Sequence, residues 1–479
     1  MKKILKKLSI MYMFILLFFA STTVNSMAYH NEDEEQLQTD ALVEKLEQQI
    51  KNQKTQAQAY SKTGFTVVID AGHGGKDSGA ANDELGFEEK YLNLDIARAI
   101  EKRLKDKGVN VVMTRNSDVF VQLAQRAAIA NGLGADLFVS VHNDTQTGNG
   151  DGSHIIHSVT DNKGGMSKTL ATNIGNSIKN NTSQNLRKYN PVWSRYSSNG
   201  TSDYYAVIRQ TKMPAVIVEH AYMNANDIKA VDTPEKRKIM GTAVADGIYN
   251  TIQNNFGGWM KYKGAWRYYD PQDKTKAIGW ELISGSWYYF DDTGIMQTGW
   301  KKINNNWYYL DNSGAMQTGW KKINNNWYYL DNSGAMQTGW EKIDNLWYYL
   351  EASGEMQKGW KKINNNWYYL DFDGSMQTGW KKVDNIWYYL ETTGEMQTGW
   401  RKINNQWYYL DDSGAMQIGW KKINNVWYYL ETNGAMKTGW LNLNDKIYYL
   451  KGDGSMVTGS IVIENKTYNF NENGELVKN

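Results

Sequence analysis

Cysteine is absent from this chain of 479 residues. Its absence excludes disulfide bonds, thiol catalysis and metal sites that depend on cysteine ligands. Any metal ion would therefore be held by histidine and carboxylate side chains. Blocks of like charge are also scarce, because 53 basic and 51 acidic residues are mixed along the chain and no long basic run lies beyond the N-terminus. This pattern does not indicate a nucleic-acid-binding protein.

Tryptophan is almost missing from the first half of the chain. Of 20 tryptophans, all but Trp193 lie from Trp259 onward. The two halves therefore predict different architectures, and a prior of about 150 residues per domain also predicts two or more units.

An apolar run long enough to span a bilayer is missing as well. The N-terminus carries four lysines, then 13 mostly apolar residues from Leu8 to Ala20, then Ser26-Met27-Ala28. This run is shorter than the roughly 20 residues of a membrane-spanning helix. The pattern predicts a signal peptide over residues 1–28, and so a secreted protein without a permanent membrane anchor. Residues 29–63 predict a charged helical spacer, with a partner-binding helix as the alternative.

Residues 64–256 alternate between short apolar runs and amphipathic stretches. This alternation predicts an α/β domain, a mixed sheet flanked by helices. The expected strands are 65–69, 109–113, 137–141 and 215–218. The expected helices are 88–107, 119–132, 166–181 and 233–254. A long loop over 182–205 is a candidate functional segment, because long loops in compact domains often carry function.

Residues 257–479 repeat with a period of twenty, as in the unit 299–318. Within it, Lys301–Ile303 and Trp307–Leu310 are strand-like runs separated by asparagines that tolerate a left-handed turn. Each unit therefore predicts a β-hairpin. An isolated hairpin is marginal in water, so the array predicts an all-β solenoid of stacked hairpins.

Each complete repeat carries two tryptophans seven residues apart, as in Trp300 and Trp307. Two indoles with a tyrosine of the adjoining unit can enclose a quaternary ammonium by cation–π attraction, and Met316 and its equivalents can complete the wall. The alternative is that the aromatics only fill a thin core. Repeated exposed aromatics favour binding. The proposed pairs are Trp300 and Trp307, Trp320 and Trp327, Trp340 and Trp347, Trp360 and Trp367, Trp380 and Trp387, Trp400 and Trp407, and Trp420 and Trp427.

The twenty-residue unit resembles the choline-binding repeat of Gram-positive surface proteins and autolysins. The resemblance implies that the paired tryptophans bind phosphocholine on teichoic acids. A related repeat of clostridial toxins binds carbohydrate. The second tryptophan of each unit favours choline over carbohydrate.

Two histidines follow predicted strands in the first half. His73 lies in a glycine loop after one strand, and His142 ends another. Neighbouring parallel strands would bring both imidazoles to one edge of the sheet. An open zinc site needs a third protein ligand, and either Glu88 or Glu89, which begin the next predicted helix, can supply a carboxylate. A further acid, Glu219, ends an apolar strand at the same edge.

Several motifs of this half resemble the type-three family of zinc-dependent N-acetylmuramoyl-L-alanine amidases. They are Val-Ile-Asp-Ala-Gly-His-Gly-Gly-Lys-Asp, Glu-Lys-Tyr-Leu-Asn-Leu, Thr-Arg with a following Asp, Ser-Val-His-Asn and Pro-Ala-Val-Ile-Val-Glu. The resemblance implies one zinc ion held by His73, Glu89 and His142, with Glu219 as the catalytic acid/base. One departure is Ala221, where many relatives have glycine.

Together these features predict a secreted autolysin associated with the Gram-positive cell wall. It would cleave the amide between N-acetylmuramic acid and L-alanine in peptidoglycan, while its repeats bind choline-substituted teichoic acids or similar wall polymers. Arg195, Asp203 and Tyr204 of the long loop are candidates for substrate contact. A non-catalytic adhesin with an amidase-like domain and a stem-peptide peptidase are the alternatives.

Overall fold

The structure is a computed structural model that describes residues 65–145 and 151–477. The predicted signal peptide and spacer, 1–28 and 29–63, lie outside the described residues. The chain divides into two compact units, one ending at Gln297 and the other beginning at Thr298. Among the described residues, no helix combines the length and the apolar character needed to cross a membrane.

The first unit is built around a mixed six-stranded sheet of order β4-β1-β5-β8-β6-β7. The first four strands in this order are parallel, β6 is antiparallel to β8, and β7 is parallel to β6. A two-stranded ribbon, β2 and β3, lies apart from the sheet. The strands are β1 (Thr66–Ala71), β2 (Ala81–Asn82), β3 (Phe87–Glu88), β4 (Asn110–Met113), β5 (Leu137–Asp144), β6 (His154–His157), β7 (Val192–Trp193) and β8 (Ala215–Tyr222).

Helices cover both faces of this sheet, which explains why its central strands are apolar on both sides. Ile69 packs in one hydrophobic cluster and Val68 in the other, and neither is exposed to solvent. The helices are α1 (Glu89–Asp106), α2 (Leu123–Leu133), α3 (Met166–Asn181), α4 (Ala206–Gln210) and α5 (Pro234–Asn255). The predicted mixed sheet flanked by helices is thereby confirmed, whereas β6, β7 and α4 were not predicted.

Two hairpins at the end of the first unit pack into the same body as the sheet. They are formed by β9 (Gly258–Tyr262) with β10 (Ala265–Tyr269) and β11 (Gly279–Ile283) with β12 (Ser286–Phe290). The ring of Tyr269 lies 5.1 Å from that of Phe256 and belongs to the main core of the sheet. Residue 257 therefore marks the change from helix to hairpin, while the compact unit continues to Gln297.

The second unit consists of nine antiparallel hairpins in a stacked array. In each hairpin two consecutive turn residues have positive φ, such as Asn304 at 48° and Asn305 at 70°. This is the type I′ turn that matches the twist of a hairpin, and asparagine tolerates it well. The strands are β13 (Gly299–Ile303), β14 (Asn306–Leu310), β15 (Gly319–Ile323), β16 (Asn326–Leu330), β17 (Gly339–Ile343), β18 (Leu346–Leu350), β19 (Gly359–Ile363), β20 (Asn366–Leu370), β21 (Gly379–Val383), β22 (Ile386–Leu390), β23 (Gly399–Ile403), β24 (Gln406–Leu410), β25 (Gly419–Ile423), β26 (Val426–Leu430), β27 (Gly439–Leu443), β28 (Lys446–Leu450), β29 (Gly459–Ile463) and β30 (Lys466–Phe470).

Neighbouring hairpins are joined by a methionine that follows each hairpin, except after β30, where Leu476 takes its place. The backbone N–H of Met336 donates to the carbonyl of Trp307 in the preceding hairpin at 2.8 Å. Its thioether packs against Gly354 of the next repeat, where φ is +85° and a Cβ would overlap the sulfur. Each hairpin thus gains main-chain and side-chain contacts that it cannot make alone, which confirms the predicted stacking.

Candidate functional site

Three side chains that could hold a metal ion meet at one edge of the sheet. They are His73, Glu89 and His142, whose ligand atoms all lie within 4.8 Å of one another. His73 Nε2 lies 3.2 Å from Glu89 Oε2, and His142 Nδ1 lies 3.0 Å from Glu89 Oε1. The edge is the carboxyl end of the parallel strands β1 and β5, where α/β sheets place their sites.

The loop after β1 is shaped so that His73 can face this edge. The backbone of His73 has φ of 61°, a left-handed conformation that is uncommon for a residue with a side chain. Arg115 Nη2 donates to the carbonyl of Gly72 at 2.7 Å, and Arg126 Nη2 donates to that of His73 at 2.8 Å. At Gly72 a Cβ would overlap the imidazole of His142, so glycine is required for the two histidines to approach.

Glu89, the first residue of α1, is the central residue of the group. Its carboxylate accepts hydrogen bonds from the N–H of Ala80 at 2.8 Å and from Asn93 Nδ2 at 3.0 Å. Burial alone would raise the pKa of Glu89, but hydrogen bonds and charge from both histidines hold it well below its usual value. Glu88 points elsewhere and pairs with Lys90 at 3.2 Å. Of the two acids that the residue pattern left open, only Glu89 joins the histidines.

The histidine nitrogens that face away from the site have acceptors of their own. His73 Nδ1 lies 2.8 Å from a carboxylate oxygen of Asp77, which can only accept, so this nitrogen carries the proton. Ser140 Oγ donates to Asp70 at 2.6 Å, so His142 Nε2, 3.1 Å from the same hydroxyl, is also a donor. The opposite nitrogens, Nε2 of His73 and Nδ1 of His142, face Glu89, and once unprotonated they can offer their lone pairs to a metal ion. Outer hydrogen bonds of this kind orient histidine ligands in metal sites.

Glu219 lies beside these ligands on the neighbouring strand. In the pairing of β5 with β8 it is opposite His142, and in the pairing of β6 with β8 it is opposite His154. Its Oε2 is buried and has no hydrogen-bond partner within residues 65–145 and 151–477. Burial raises the pKa of Glu219, and the negative charges of Glu89 and Asp144 raise it further. A carboxyl group with a raised pKa is suited to take up and release a proton.

The sequence motifs did not indicate Asp144 and His154 as part of this edge. Asp144 Oδ2 lies 3.5 Å from His154 Nε2. Burial, together with the positive charge of Arg187, lowers the pKa of His154 to about 3, so its ring is neutral. Asp144 could have been found from its place two residues after His142 on the same strand, whereas His154 lies on the unpredicted strand β6.

The three predicted residues of the long loop lie in different surroundings. The guanidinium of Arg195 stacks 3.9 Å above the ring of the half-exposed Tyr204. Arg195 also hydrogen-bonds Tyr205, whose pKa is raised by burial and by the negative charge of Glu219. Asp203 is different, since it is buried and its carboxylate accepts from Ser158 Oγ at 2.9 Å and from a backbone N–H at 2.7 Å. Its carboxylate thus serves to hold the loop in place.

Aromatic cages recur along the second unit. In one of them Trp340 and Trp347 of one hairpin, with Tyr368 and Met376 of the next repeat, line a cavity of about 400 Å³. The rings of Trp340 and Tyr368 are 4.9 Å apart at 64°. Trp347 remains 41% exposed, so a ligand can reach its face.

Seven complete cages of this composition lie in the second unit. In all of them the first tryptophan is 4.8 to 4.9 Å from the tyrosine of the next hairpin. An eighth position has Ile447 and Leu476 in place of the second tryptophan and the methionine. The cages begin at Trp300, Trp320, Trp340, Trp360, Trp380, Trp400 and Trp420, and their second tryptophans are Trp307, Trp327, Trp347, Trp367, Trp387, Trp407 and Trp427.

The first unit contains another cage, which was not among the predicted pairs. Trp259 lies 6.2 Å from Trp266 and 4.8 Å from Tyr288. The N–H of Met296 donates to the carbonyl of Trp266 at 2.8 Å, as in the later repeats. The irregular spacing of the first two repeats obscured this equivalence in the sequence.

Two family models match the chain. That of the N-acetylmuramoyl-L-alanine amidases covers residues 67–250. That of the choline-binding repeat matches six segments, 277–318, 317–358, 357–398, 397–438, 417–458 and 437–479. The two matches follow the division between the α/β fold and the hairpins.

Individual proteins resemble one half or the other. The uncharacterized protein YqiI of Bacillus subtilis is 33% identical over 186 residues, which are 39% of this chain and 84% of the relative. The N-acetylmuramoyl-L-alanine amidase LytC of Bacillus subtilis is 32% identical over 213 residues, or 44% of this chain and 38% of the relative. The solved structure of CbpJ from Streptococcus pneumoniae is 33% identical, with a TM-score of 0.38 and a match covering 46% of this chain and 93% of CbpJ. The chain belongs to the N-acetylmuramoyl-L-alanine amidase family, and choline-binding repeats follow its amidase domain.

Proposed function

We propose that the chain is a secreted peptidoglycan hydrolase that cleaves the amide between N-acetylmuramic acid and L-alanine while its repeats hold it on choline-bearing polymers of the cell wall. The observation that carries the proposal is the grouping of His73, Glu89 and His142 within 4.8 Å. Glu219 lies on the adjacent strand, directly opposite His142. These are the parts of a metal-assisted amide hydrolase.

The donor set of this group fits zinc. Two imidazoles and one carboxylate leave a fourth tetrahedral position for water, which is the composition of a catalytic zinc site. Nε2 of His73 and Nδ1 of His142 both face Glu89, and the other nitrogens of the two rings are held by Asp77 and Ser140. A zinc ion bound by His73, Glu89 and His142 would supply a Lewis acid for the scissile carbonyl and lower the pKa of bound water.

The side chains around the ligands account for proton movement and for substrate position. Glu219 accepts a proton from the attacking water and delivers it to the leaving amine of L-alanine. Its raised pKa suits it to this transfer, because that pKa lies closer to those of the water and the amine. Arg195 and Tyr204, stacked on each other, present a cation and an aromatic face to the substrate. The neutral His154 beside Glu219 adds no competing charge.

The first prediction separates the two adjacent acids at the start of α1. A Glu89→Gln variant should lose bound zinc, because glutamine removes the negative charge and one strong ligand. Changes to outer-sphere partners alone weaken metal binding by about 10- to 100-fold, so loss of a ligand should weaken it by more. Zinc content after dialysis against a chelator is the measurement.

Glu88→Gln is the matched control, since Glu88 is 43% exposed and pairs with Lys90. It should retain about one zinc ion per chain, as expected for a three-ligand catalytic site. Equal zinc content in the two variants would contradict the assignment of Glu89. In the same preparations, wall digests should release free N-terminal L-alanine only without chelator. A new amino group from another residue would instead identify a stem-peptide peptidase.

The second prediction concerns the cages. Trp347→Ala should lower the number of bound choline molecules by one, because it removes an exposed wall of a single cage. Each cation–π contact contributes only about 0.5–2 kcal/mol, so the remaining sites and retention on a choline resin should persist. Calorimetric titration with choline measures the number of sites.

The incomplete cage beside Trp440 provides the converse variant. Ile447→Trp with Leu476→Met supplies the two missing walls and should add one choline site to the number in the unmodified chain. If neither substitution changes the number of sites, the cages do not bind choline. Such a result would favour a carbohydrate or another wall ligand for the array.

A further inference from the structure

Every complete cage of the second unit has a lysine beside its exposed tryptophan. Lys322, for example, is the direct cross-strand partner of Trp327, so both side chains stand on the same face of the hairpin. At the incomplete cage the corresponding pair is Asn442 and Ile447. The other pairs are Lys302 and Trp307, Lys342 and Trp347, Lys362 and Trp367, Lys382 and Trp387, Lys402 and Trp407, and Lys422 and Trp427.

A lysine next to a cage for a cation is unfavourable unless the ligand also carries a negative charge. Two positive charges about 4 to 6 Å apart repel each other, even near solvent. A ligand with a phosphate beside its ammonium reverses the sign of this interaction. The recurrence of lysine therefore indicates a zwitterion.

One cage adjoins a cavity with a second lysine. The cavity has a volume of about 360 Å³ and is lined by Lys322, Lys358, Asn325 and Asn326. It shares Trp327 and Met356 with the cage that begins at Trp320. Lys358 lies two residues after Met356, the methionine of this cage. At the same position after their own methionines, the other complete cages have threonine or isoleucine.

The lining of this cavity favours an anion. It contains two ammonium groups and no carboxylate. The nearest acid in sequence, Glu355, accepts hydrogen bonds from Asn326 Nδ2 at 2.8 Å and from Tyr328 Oη at 3.2 Å. Its charge is thus partly satisfied by two donors, one of which is the cavity-lining Asn326, whereas Lys322 and Lys358 are exposed towards solvent.

We propose that the two-lysine cavity binds the phosphate of a phosphocholine-type zwitterion whose ammonium lies in the adjoining cage. This inference rests on the proposed binding of choline by the cages. Only two carbons separate the ammonium from the phosphate ester oxygen in such a ligand, so the two sites must touch, and they do so at Trp327 and Met356. The site would distinguish a phosphorylated choline from free choline.

The test is calorimetric titration of the full-length chain with choline and with phosphocholine at low salt. In the unmodified chain one site should bind phosphocholine about three- to tenfold more tightly than choline, as expected for partly exposed ion pairs. High salt should remove this preference. Lys358→Thr, which installs the residue of neighbouring repeats, should also remove this preference without weakening the binding of choline.

A gain-of-function variant tests whether Lys358 acts by binding phosphate and not only by supporting the structure of its repeat. Thr338 occupies the position of Lys358 relative to the cage that begins at Trp300, so Thr338→Lys should create a second site with the same preference. The two sources of phosphocholine can be separated by measuring the effect of Lys358→Thr on binding to a phosphocholine-bearing teichoic acid and to phosphatidylcholine vesicles. If the variant binds one of these two materials more weakly than the unmodified chain does, that material is the one that the cavity recognises.

The outcomes distinguish this inference from the proposed function beneath it. If the chain binds neither choline nor phosphocholine, choline binding by the cages fails. If choline binds but no site prefers phosphocholine, or if the preference survives Lys358→Thr, the cavity does not recognise phosphate and only this inference is overturned.

Discussion

A Glu219→Gln variant is expected to retain about one bound zinc ion and to lose about 10²- to 10⁴-fold in amidase activity, the usual contribution of a general acid–base group. Glutamine keeps the size of the side chain but cannot take up the proton of the attacking water. The ligands His73, Glu89 and His142 keep their own hydrogen bonds, so metal binding should persist. Release of N-terminal L-alanine from purified walls measures the loss.

The same variant should be more stable than the unmodified chain when both are free of metal. The folded-state pKa of Glu219 is raised by burial and by the charges of Glu89 and Asp144. A raised carboxyl pKa means that the folded state holds the proton more tightly than the unfolded state. The free energy of unfolding therefore falls as the pH rises from the unfolded-state pKa of about 4.3 through the folded-state pKa. Glutamine removes this loss.

Thermal unfolding of the metal-free proteins at several pH values tests the sign. The melting temperature of Glu219→Gln should exceed that of the unmodified chain at neutral pH, and the difference should shrink as the pH falls towards 4. Glu88→Gln is again the control, because Glu88 is half-exposed and should change neither activity nor this pH dependence. Normal lysis of walls by Glu219→Gln would refute its assignment as the acid/base.

Asp136→Asn is expected to destabilise the first unit by about 3–5 kcal/mol, the usual cost of removing one partner of a buried ion pair. Asp136 is inaccessible, and Lys276, in the connection between the two hairpins of the first unit, is 4% exposed, with 3.0 Å between their charged atoms. Tyr269 donates to the same carboxylate at 2.7 Å, and so does the N–H of Thr66 at the start of β1. Asparagine would leave the ammonium of Lys276 buried without its counter-charge.

The double variant Asp136→Asn with Lys276→Met is the matched control. It removes both charges, so much of the lost stability should return, because an apolar replacement of a buried pair is often neutral. Urea-induced loss of amidase activity in the full-length chain measures the difference.

A chain ended after Gln297 should fold, whereas one ended at Phe256 should not, because it lacks Tyr269 and Lys276. Equal stability of these two shortened chains would contradict the role of the hairpins.

Much of the candidate site could be predicted because its residues stand where strands end. Strands β1 and β5 are continuous apolar runs, so His73 and His142 could be placed at one sheet edge before their distance was known. The residue pattern could not choose between Glu88 and Glu89, since that choice depends on which side chain α1 turns inward. The hydrogen bonds of Ala80 and Asn93 to Glu89 decide it.

What the sequence did not predict depends on contacts between distant segments. His-Ile-Ile-His at 154–157 is too short for a periodic signal, yet it forms β6 and places His154 opposite Glu219. Asp136 has the pattern of an ordinary loop acid, and only the fold brings Tyr269 and Lys276 to it. Asp203 was predicted to contact substrate because it lies in the long loop, but its carboxylate accepts a hydrogen bond from Ser158.

The sharing of each cage between two hairpins has a consequence for how such an array can grow. One hairpin supplies the tryptophans and the next supplies the tyrosine and methionine, so a row of hairpins always contains one cage fewer than its members. The hairpin of β29 and β30 supplies Tyr468 to the position beside Trp440, and Ser460 and Thr467 stand where its own tryptophans would be. An in-frame duplication of any twenty residues within 299–438, where every repeat carries both tryptophans, adds one whole cage wherever it falls. Binding capacity can thus change in single steps while the amidase domain stays untouched.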